Sequence, residues 1–290
     1  MITWKKLVGL LRLFRGELPL AAGMCVLLGE IIALGFFPTF RDGALGFFCG
    51  FFLSATALIL NDYFDLEVDR INAPDRSLPS GIVTTTEVIA LSILTTLIGL
   101  GCAALIGFSA LVLSVLFWCI GFLYNWRFKE TGLLGNLMVS ASTAVTFILG
   151  GMIAGSPWNK IVWTVAFIGF FLDLGEEIGC DAMDMEGDKK RKSRSIAILK
   201  GRPFAIRLAG SSFFLVVLIS FLPVLLGWMG PVYFVVISIS SIFTIYFTIR
   251  LIKSQSIDQG RSSLKSIYIV PLFTMVAFII GQVLSGIFFQ

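Results

Sequence analysis

The chain has 290 residues, of which 57% are hydrophobic and only 14% charged, and its mean hydropathy is +0.94. Polar surface is then too scarce to cover a water-soluble globule of this length, which excludes an ordinary cytosolic protein and places the chain in a bilayer. The net charge is a modest +4, and the absence of histidine excludes His-ligated haem, His-dependent triads and His-based metal sites, leaving oxygen ligands as the available metal chemistry.

Residues 1–16 place Trp4, Leu7, Val8, Leu11 and Phe14 at helical spacing, with Lys5, Lys6, Arg12 and Arg15 between them. This pattern predicts an amphipathic helix lying on the membrane; its interrupted apolar part does not suit a signal peptide. A spanning helix needs ~20 mainly apolar residues. Nine such runs follow, near residues 17–39, 43–62, 86–107, 108–125, 133–154, 160–180, 205–228, 231–252 and 267–289. Turns are offered between the third and fourth spans at Gly107 to Ser109 and between the seventh and eighth at Gly227 to Pro231. The runs are continuous rather than alternating, so the expected fold is all-α, a polytopic membrane protein forming one domain over 1–290, and not a β-barrel.

With a cytoplasmic N-terminus, nine spans put all but Arg41 and Lys160 of the 22 basic residues on the cytoplasmic side, and the C-terminus outside. The positive charge is thus a topology signal that also favours anionic membrane lipids, with no nucleic-acid or protein partner implied. The five cysteines show no C-x-x-C spacing, so neither a disulfide framework nor a zinc site is expected.

At the end of the second span "NDYFDLEVDRINAPDRSLPSG", residues 61–81, spaces Asp62, Asp65 and Asp69 at i, i+3 and i+7. On one unbroken helix the three share a face. Asp181, Asp184 and Asp188 repeat the spacing at the end of the sixth span, each 119 residues later (181 − 62 = 119). Three carboxylates on one face repel one another unless a cation joins them, and Mg²⁺ suits a pair of such clusters because it takes oxygen ligands and bridges to substrate phosphates. One ion per cluster gives two. Cations to balance a diphosphate stand nearby: Arg70 and Arg76 after the first cluster, Arg127 and Lys129 in the next cytoplasmic loop, and Lys189, Lys190, Arg191, Lys192 and Arg194 after the second. Pro74, Pro79 and Gly81 should stop the first motif's helix and turn the chain back.

These residues resemble the UbiA superfamily of intramembrane prenyltransferases. Residues 61–81 resemble its N-D-x-x-D-x-x-x-D motif with the following P-x-R-P-[LI]-x-S-G, and "DAMDMEGDKK" its second D-x-x-D-x-x-x-D. "LYNWRFKETGLLGN", 123–136, resembles the family's Tyr and Lys loop, with Tyr124 and Lys129 at those places. The resemblance implies nine helices in a ring around a cavity capped by the motif loops. It implies Mg²⁺ on Asn61, Asp65 and Asp69 with Asp62 in support, and on Asp181, Asp184 and Asp188. Arg76, Lys129, Arg70 and Tyr124 would meet the diphosphate of an allylic prenyl donor. As the leaving group's charge grows against metal and cations, an allylic carbocation forms and a lipid acceptor attacks it.

Three departures stand out: Glu176 and Cys180 in "EEIGCD" where members often have basic residues, Ser77 for a proline, and "RGEL", Arg15 to Leu18, for an R-P-x-N element. The residues themselves add an acidic stripe, Asp173, Glu177, Asp181, Asp184 and Asp188, in which Asp173 or Glu177 is a candidate to receive the acceptor's proton or hold its polar head, the alternative being an ion pair with a neighbouring helix. Glu30 in the first span is a weaker candidate. The compact length and "PDRSLPSG" with "MEGDKK" most resemble archaeal-type members of the family, a resemblance that implies geranylgeranylglyceryl phosphate in ether-lipid synthesis as the acceptor. Prenylation of an aromatic acceptor for quinone or redox-lipid synthesis is the alternative, and a cation-coupled transporter is the alternative of another class.

Overall fold

The computed structural model describes residues 4–190 and 193–285, and every regular element among them is helical. In chain order these are α1 (Trp4–Leu13), α2 (Glu17–Leu34), α3 (Phe40–Phe64), α4 (Leu66–Asn72), α5 (Thr85–Ile106), α6 (Phe108–Leu123), α7 (Leu133–Ile153), α8 (Lys160–Met183), α9 (Met185–Lys190), α10 (Ile196–Lys200), α11 (Arg202–Leu225), α12 (Pro231–Ile252) and α13 (Ile257–Ser285). A π-helical turn, Tyr124–Phe128, and a 3₁₀ turn, Lys129–Thr131, link α6 to α7.

Seven of the helices are long and apolar enough to cross a membrane by length and composition. Large apolar side chains such as Leu97, Phe108, Leu218 and Ile242 are exposed on them, as lipid contact requires. The protein is an integral membrane protein. Helix α8 has the length to span but carries Asp173, Glu176, Glu177 and Asp181, which set it apart from the seven.

The chain packs as two compact units, Met1–Phe128 with Val145–Trp158, and Lys129–Ala144 with Asn159–Gln290. In the first, the amphipathic pattern near the N-terminus does form a helix. Leu13 of α1 is buried with Ile59, Leu78, Val83 and Val88, whereas Trp4 is 77% exposed on the other face. Thr84 and Glu87 form a capping box at the start of α5, and Lys6 of α1 pairs with the same Glu87. Helices α2 and α7 approach at backbone distance. A Cβ on Gly150 would stand 2.7 Å from the Glu30 nitrogen and 2.8 Å from the Gly29 Cα, so the contact depends on two glycines, as close helix packing in membranes commonly does. Beside it, Glu30 is fully buried and neither of its carboxylate oxygens has a hydrogen-bond partner; Gly46 of α3 leaves the room its carboxyl fills.

The second unit centres on α8, α11, α12 and α13, whose Leu174, Ile178, Ala205, Ala209, Phe213, Leu251, Leu264 and Ile267 form one buried cluster. Gly175 of α8 makes room for the Phe213 ring.

Two expected spans end elsewhere. The first stops at Leu34 rather than 39 because Gly35 turns left-handed (φ 78°) and returns its N–H to the Ile31 carbonyl. The last begins at Ile257, ten residues before 267, because the polar segment "IDQGRSSLKS" continues the same helix before the apolar run starts. Arg191 and Lys192, members of the basic run, lie outside the described residues.

Candidate active site

The two aspartate motifs do not lie on unbroken helices, as their spacing suggested. Both break at the middle aspartate. Asp65, at φ −85° and ψ 0°, joins α3 to α4; Asp184, at φ −109° and ψ 14°, joins α8 to α9. In each motif the junction residue keeps its place in the hydrogen-bond ladder. Asp65 N–H donates to the Asn61 carbonyl at 2.9 Å and its carbonyl accepts from Asp69 at 2.8 Å; Asp184 N–H donates to Cys180 at 2.9 Å and its carbonyl accepts from Asp188 at 3.0 Å. The repeat in sequence is therefore also a repeat in backbone conformation.

In the first motif Asp62 and Asp69 are both buried, and each meets a guanidinium. Arg76 donates to Asp69 Oδ2 at 2.5 Å and stands 3.8 Å from Asp62 Oδ1. Arg15 donates to the same Asp62 oxygen. Arg15 sits in the α1–α2 turn at φ 44°, the one described non-glycine residue with positive φ, a strained conformation that its partner helps to hold. Asn61 donates to Asn125 Oδ1 at 2.9 Å, and Asn125 in turn donates to the Ala57 and Gly121 carbonyls. The π turn that starts at Tyr124 places Asn125 there; such turns recur at functional sites. Arg70 points elsewhere, pairing with Glu67 at 2.9 Å on an exposed face. After α4 the chain turns at Pro74, and Gly81 (φ 74°) returns it so that Ser77 and Leu78 are buried and Val83 N–H reaches the Ser77 carbonyl.

Replacing Arg15 with alanine is expected to leave Asp62 buried with only the longer 3.8 Å pairing to Arg76. The predicted loss is about 1–3 kcal/mol, reduced from a fully buried pair because Arg15 is one-third exposed. Thermal unfolding in detergent measures it, and an unchanged midpoint would show the pair to be dispensable.

In the second unit, Asn136 of α7 donates to Asp181 Oδ2 at 2.9 Å, and Arg261 of α13 donates to Asp184 Oδ1 at 2.5 Å. Two turns back along α8, Asp173 accepts from Ser140 at 3.1 Å and Thr143 at 3.2 Å, both on α7. Lys129 is the positive group that acts on Glu177, whose other charged neighbours are Asp173, Glu176 and Asp181. The 129–132 loop is held in place: Arg194 N–H donates to the Glu130 carbonyl at 2.9 Å, and Gly132, at φ 72°, lies under the Arg194 backbone.

Residues 22–279 match the UbiA prenyltransferase family. The chain belongs to that family. It is 31% identical to a digeranylgeranylglyceryl phosphate synthase of Thermococcus gammatolerans over 88% of this chain and 92% of that one. A solved structure concerned with digeranylgeranylglyceryl phosphate synthase superposes with a TM-score of 0.80 at 30% identity, covering 95% of this chain and 98% of its own. A UbiA homologue from Archaeoglobus fulgidus, solved with GPP and Mg²⁺, shares the fold at a TM-score of 0.71 and 18% identity, over 96% and 99% of the two chains.

For a UbiA-family chain, the donor set fits Mg²⁺: the first motif offers carboxylate and amide oxygens, the second carboxylate oxygens, and neither contains a cysteine or histidine. Among the described residues no three acidic or cysteine side chains converge as a ready-made metal shell. The reason is visible in the partners, since Asp62, Asp69 and Asp184 are turned toward guanidinium groups, which occupy carboxylates that attract cations. Mg²⁺ is commonly held by one or two carboxylates together with substrate phosphates, so a shell completed by the diphosphate suits this geometry. Sequence reasoning missed Arg15 and Arg261 as partners of motif acids, Asn125 as the partner of Asn61, and Ser140 and Thr143 as partners of Asp173. Asn125 adjoins Tyr124 and could have been read from the loop; Arg261 lies 77 positions from Asp184 with no local signal.

Proposed function

We propose that this protein transfers a prenyl group, geranylgeranyl by preference, from an allylic diphosphate to a lipid acceptor of the geranylgeranylglyceryl phosphate type, releasing diphosphate. One observation carries the reading: the duplicated aspartate motif, kinked at the same residue in both copies, with each copy already engaged by an arginine. The names of the relatives support the acceptor.

Asn61, Asp65 and Asp69, with Asp62 behind them, would hold one Mg²⁺; Asp181, Asp184 and Asp188 would hold a second. The bound metal supplies Lewis-acid neutralisation of the diphosphate as its ester bond breaks. Arg76 exchanges Asp69 for a phosphate oxygen when the donor enters, an exchange of one charge-assisted hydrogen bond for another. Tyr124 adds a hydroxyl contact at the first motif and Lys129 a cation beside Glu177 near the second, while Arg70, paired with Glu67 on an exposed face, takes no part. Asp62 stays with Arg15, which keeps the end of α3 in register while its neighbours bind. Apolar helix surface takes the isoprenoid chain.

We further propose that α8 and α13 also cross the bilayer, giving nine spans in a ring within a single functional domain, with the N-terminus and both motifs cytoplasmic and the C-terminus outside. The distribution of basic residues supports this side assignment.

The test is diphosphate release from geranylgeranyl diphosphate by purified protein. Release should depend on Mg²⁺, vanish with excess chelator and return on adding Mg²⁺ back. Release that persists in chelator, or none under any condition, would sink the proposal.

A further inference from the structure

Helix α1 has two faces. The inner one grips the chain around the first aspartate motif. A Cβ on Gly9 would stand 2.5 Å from Ile82 Cγ2 and 3.3 Å from Val83 Cγ1, and Leu13 is buried with Ile59, Leu78 and Val83. Two ion pairs mark the ends of the gripped segment: Arg15, just after α1, holds Asp62, and Lys6 holds Glu87 at the capping box of α5. Between those two acids lie Asp65, Asp69 and Arg76. Whatever fixes α1 therefore also restrains the motif and the loop that follows it.

The outer face is exposed. Trp4, Leu7 and Leu11 stand on it at i, i+3 and i+7, with Lys5 and Arg12 exposed beside them. Lipid tails would explain such side chains on a spanning helix, but α1 has 10 residues. These cover about 15 Å, roughly half of a hydrocarbon core, and the basic residues among them are costly inside it. The chain itself fixes the depth at which α1 lies. Only Phe14 to Gly16 separate it from Glu17, the first residue of α2, which is long and apolar enough to cross. So short a link keeps α1 where α2 leaves the bilayer, among the headgroups. Residues 1–16 contain Lys5, Lys6, Arg12 and Arg15 and no acid, which suits an anionic headgroup.

We propose that the outer face of α1 is a docking surface for anionic lipid headgroups, and that docking there holds the first aspartate motif and its loop in place. Trp4, Leu7 and Leu11 enter the boundary between headgroups and acyl chains, while Lys5 and Arg12 meet lipid phosphates. Docking takes freedom from α1, and the inner face passes the restraint on through Gly9, Leu13 and the two ion pairs. The docking residues lie outside those assigned to prenyl transfer, so the lipid contact stands apart from the reaction that the motif performs.

Hydrogen exchange of the full chain in nanodiscs is the test, comparing phosphatidylcholine alone with phosphatidylcholine mixed with phosphatidylglycerol. The amides to follow are those of α1 and of the loop, among them Val83 N–H, which donates to the Ser77 carbonyl at 3.1 Å. Exchange at both should be about tenfold slower in the anionic discs. The double variant Lys5→Gln, Arg12→Gln should lose most of that protection, and so should wild type in high salt. The salt comparison needs no substitution and decides the matter by itself if the variant is produced poorly. Helix α12, in the other unit, should exchange equally in the two lipids. Equal exchange of α1 in both lipids, or protection that survives charge removal and salt, would overturn the lipid surface. Slowing that extends equally to α12 would overturn it too. Protection of α1 with the loop unchanged would overturn the link to the motif. Protection that follows the number of copies per disc, and not the lipid charge, would give the face to a second copy of this chain and overturn the lipid assignment.

Discussion

Replacing Asp69 with asparagine is expected to lower diphosphate release about a thousandfold, or ~4 kcal/mol of transition-state stabilisation, while leaving the protein folded. Asp69 is buried and gives one oxygen to Arg76 at 2.5 Å, so the group is already held in position before any donor arrives. Asparagine keeps the volume and one hydrogen-bond acceptor for Arg76 but removes the charge that would face Mg²⁺. The effect should therefore fall on metal affinity and turnover together, and raising Mg²⁺ should recover part of the rate. The Asp62→Asn variant makes the contrast. Asp62 is tied to Arg15 and stands 3.8 Å from Arg76, so its loss should appear first in thermal stability and only second in rate. Comparable loss of rate in both variants, or more than a tenth of wild-type rate in Asp69→Asn, would remove Asp69 from the metal.

Gly150→Val is expected to cost about 3 kcal/mol or more of stability and to deplete folded protein in the membrane. The added Cβ would stand 2.7 Å from the Glu30 nitrogen and 2.8 Å from the Gly29 Cα, and the obstructing atoms are backbone, which cannot turn aside as a side chain can. Separating α2 from α7 would also open the space around the Glu30 carboxyl, whose two oxygens have no partners, and would admit water to it. Gly101 of α5 supplies the comparison, because a Cβ there meets nothing within 4 Å. Gly101→Val should be near neutral. Equal melting temperatures for the two variants in detergent would show that the α2–α7 approach does not limit stability.

Much of the helical plan could be read from the sequence because a bilayer imposes a length on apolar runs. Runs such as 133–154 and 231–252 reappear as helices with ends within two residues of those expected. The failures have local causes. Gly35 ended a helix whose apolar composition continued to Phe37, and the polar start of α13 carried no apolar signal although its backbone is helical from Ile257. The motif acids were legible because one spacing recurs 119 residues apart, an arrangement that charge repulsion disfavours without a cation. Their kinks were not legible, since i, i+3, i+7 spacing is the same for an ideal helix and for one opened at Asp65 or Asp184.

The sequence by itself determined the membrane class, the family and the duplicated acidic motif, because these follow from composition and from motifs written in consecutive residues. Only the tertiary structure decided which partner each acid has. Asp62 could have met any of several arginines, yet it meets Arg15, 47 positions away; Asp184 meets Arg261; and Asp173 meets two hydroxyls where a basic residue was the alternative. Pairing of this kind depends on which helix faces come together. In a chain whose spanning helices are apolar nearly all round, that choice is made by small residues and backbone approach, as at Gly29 and Gly150, and not by a hydrophobic stripe that the sequence would reveal.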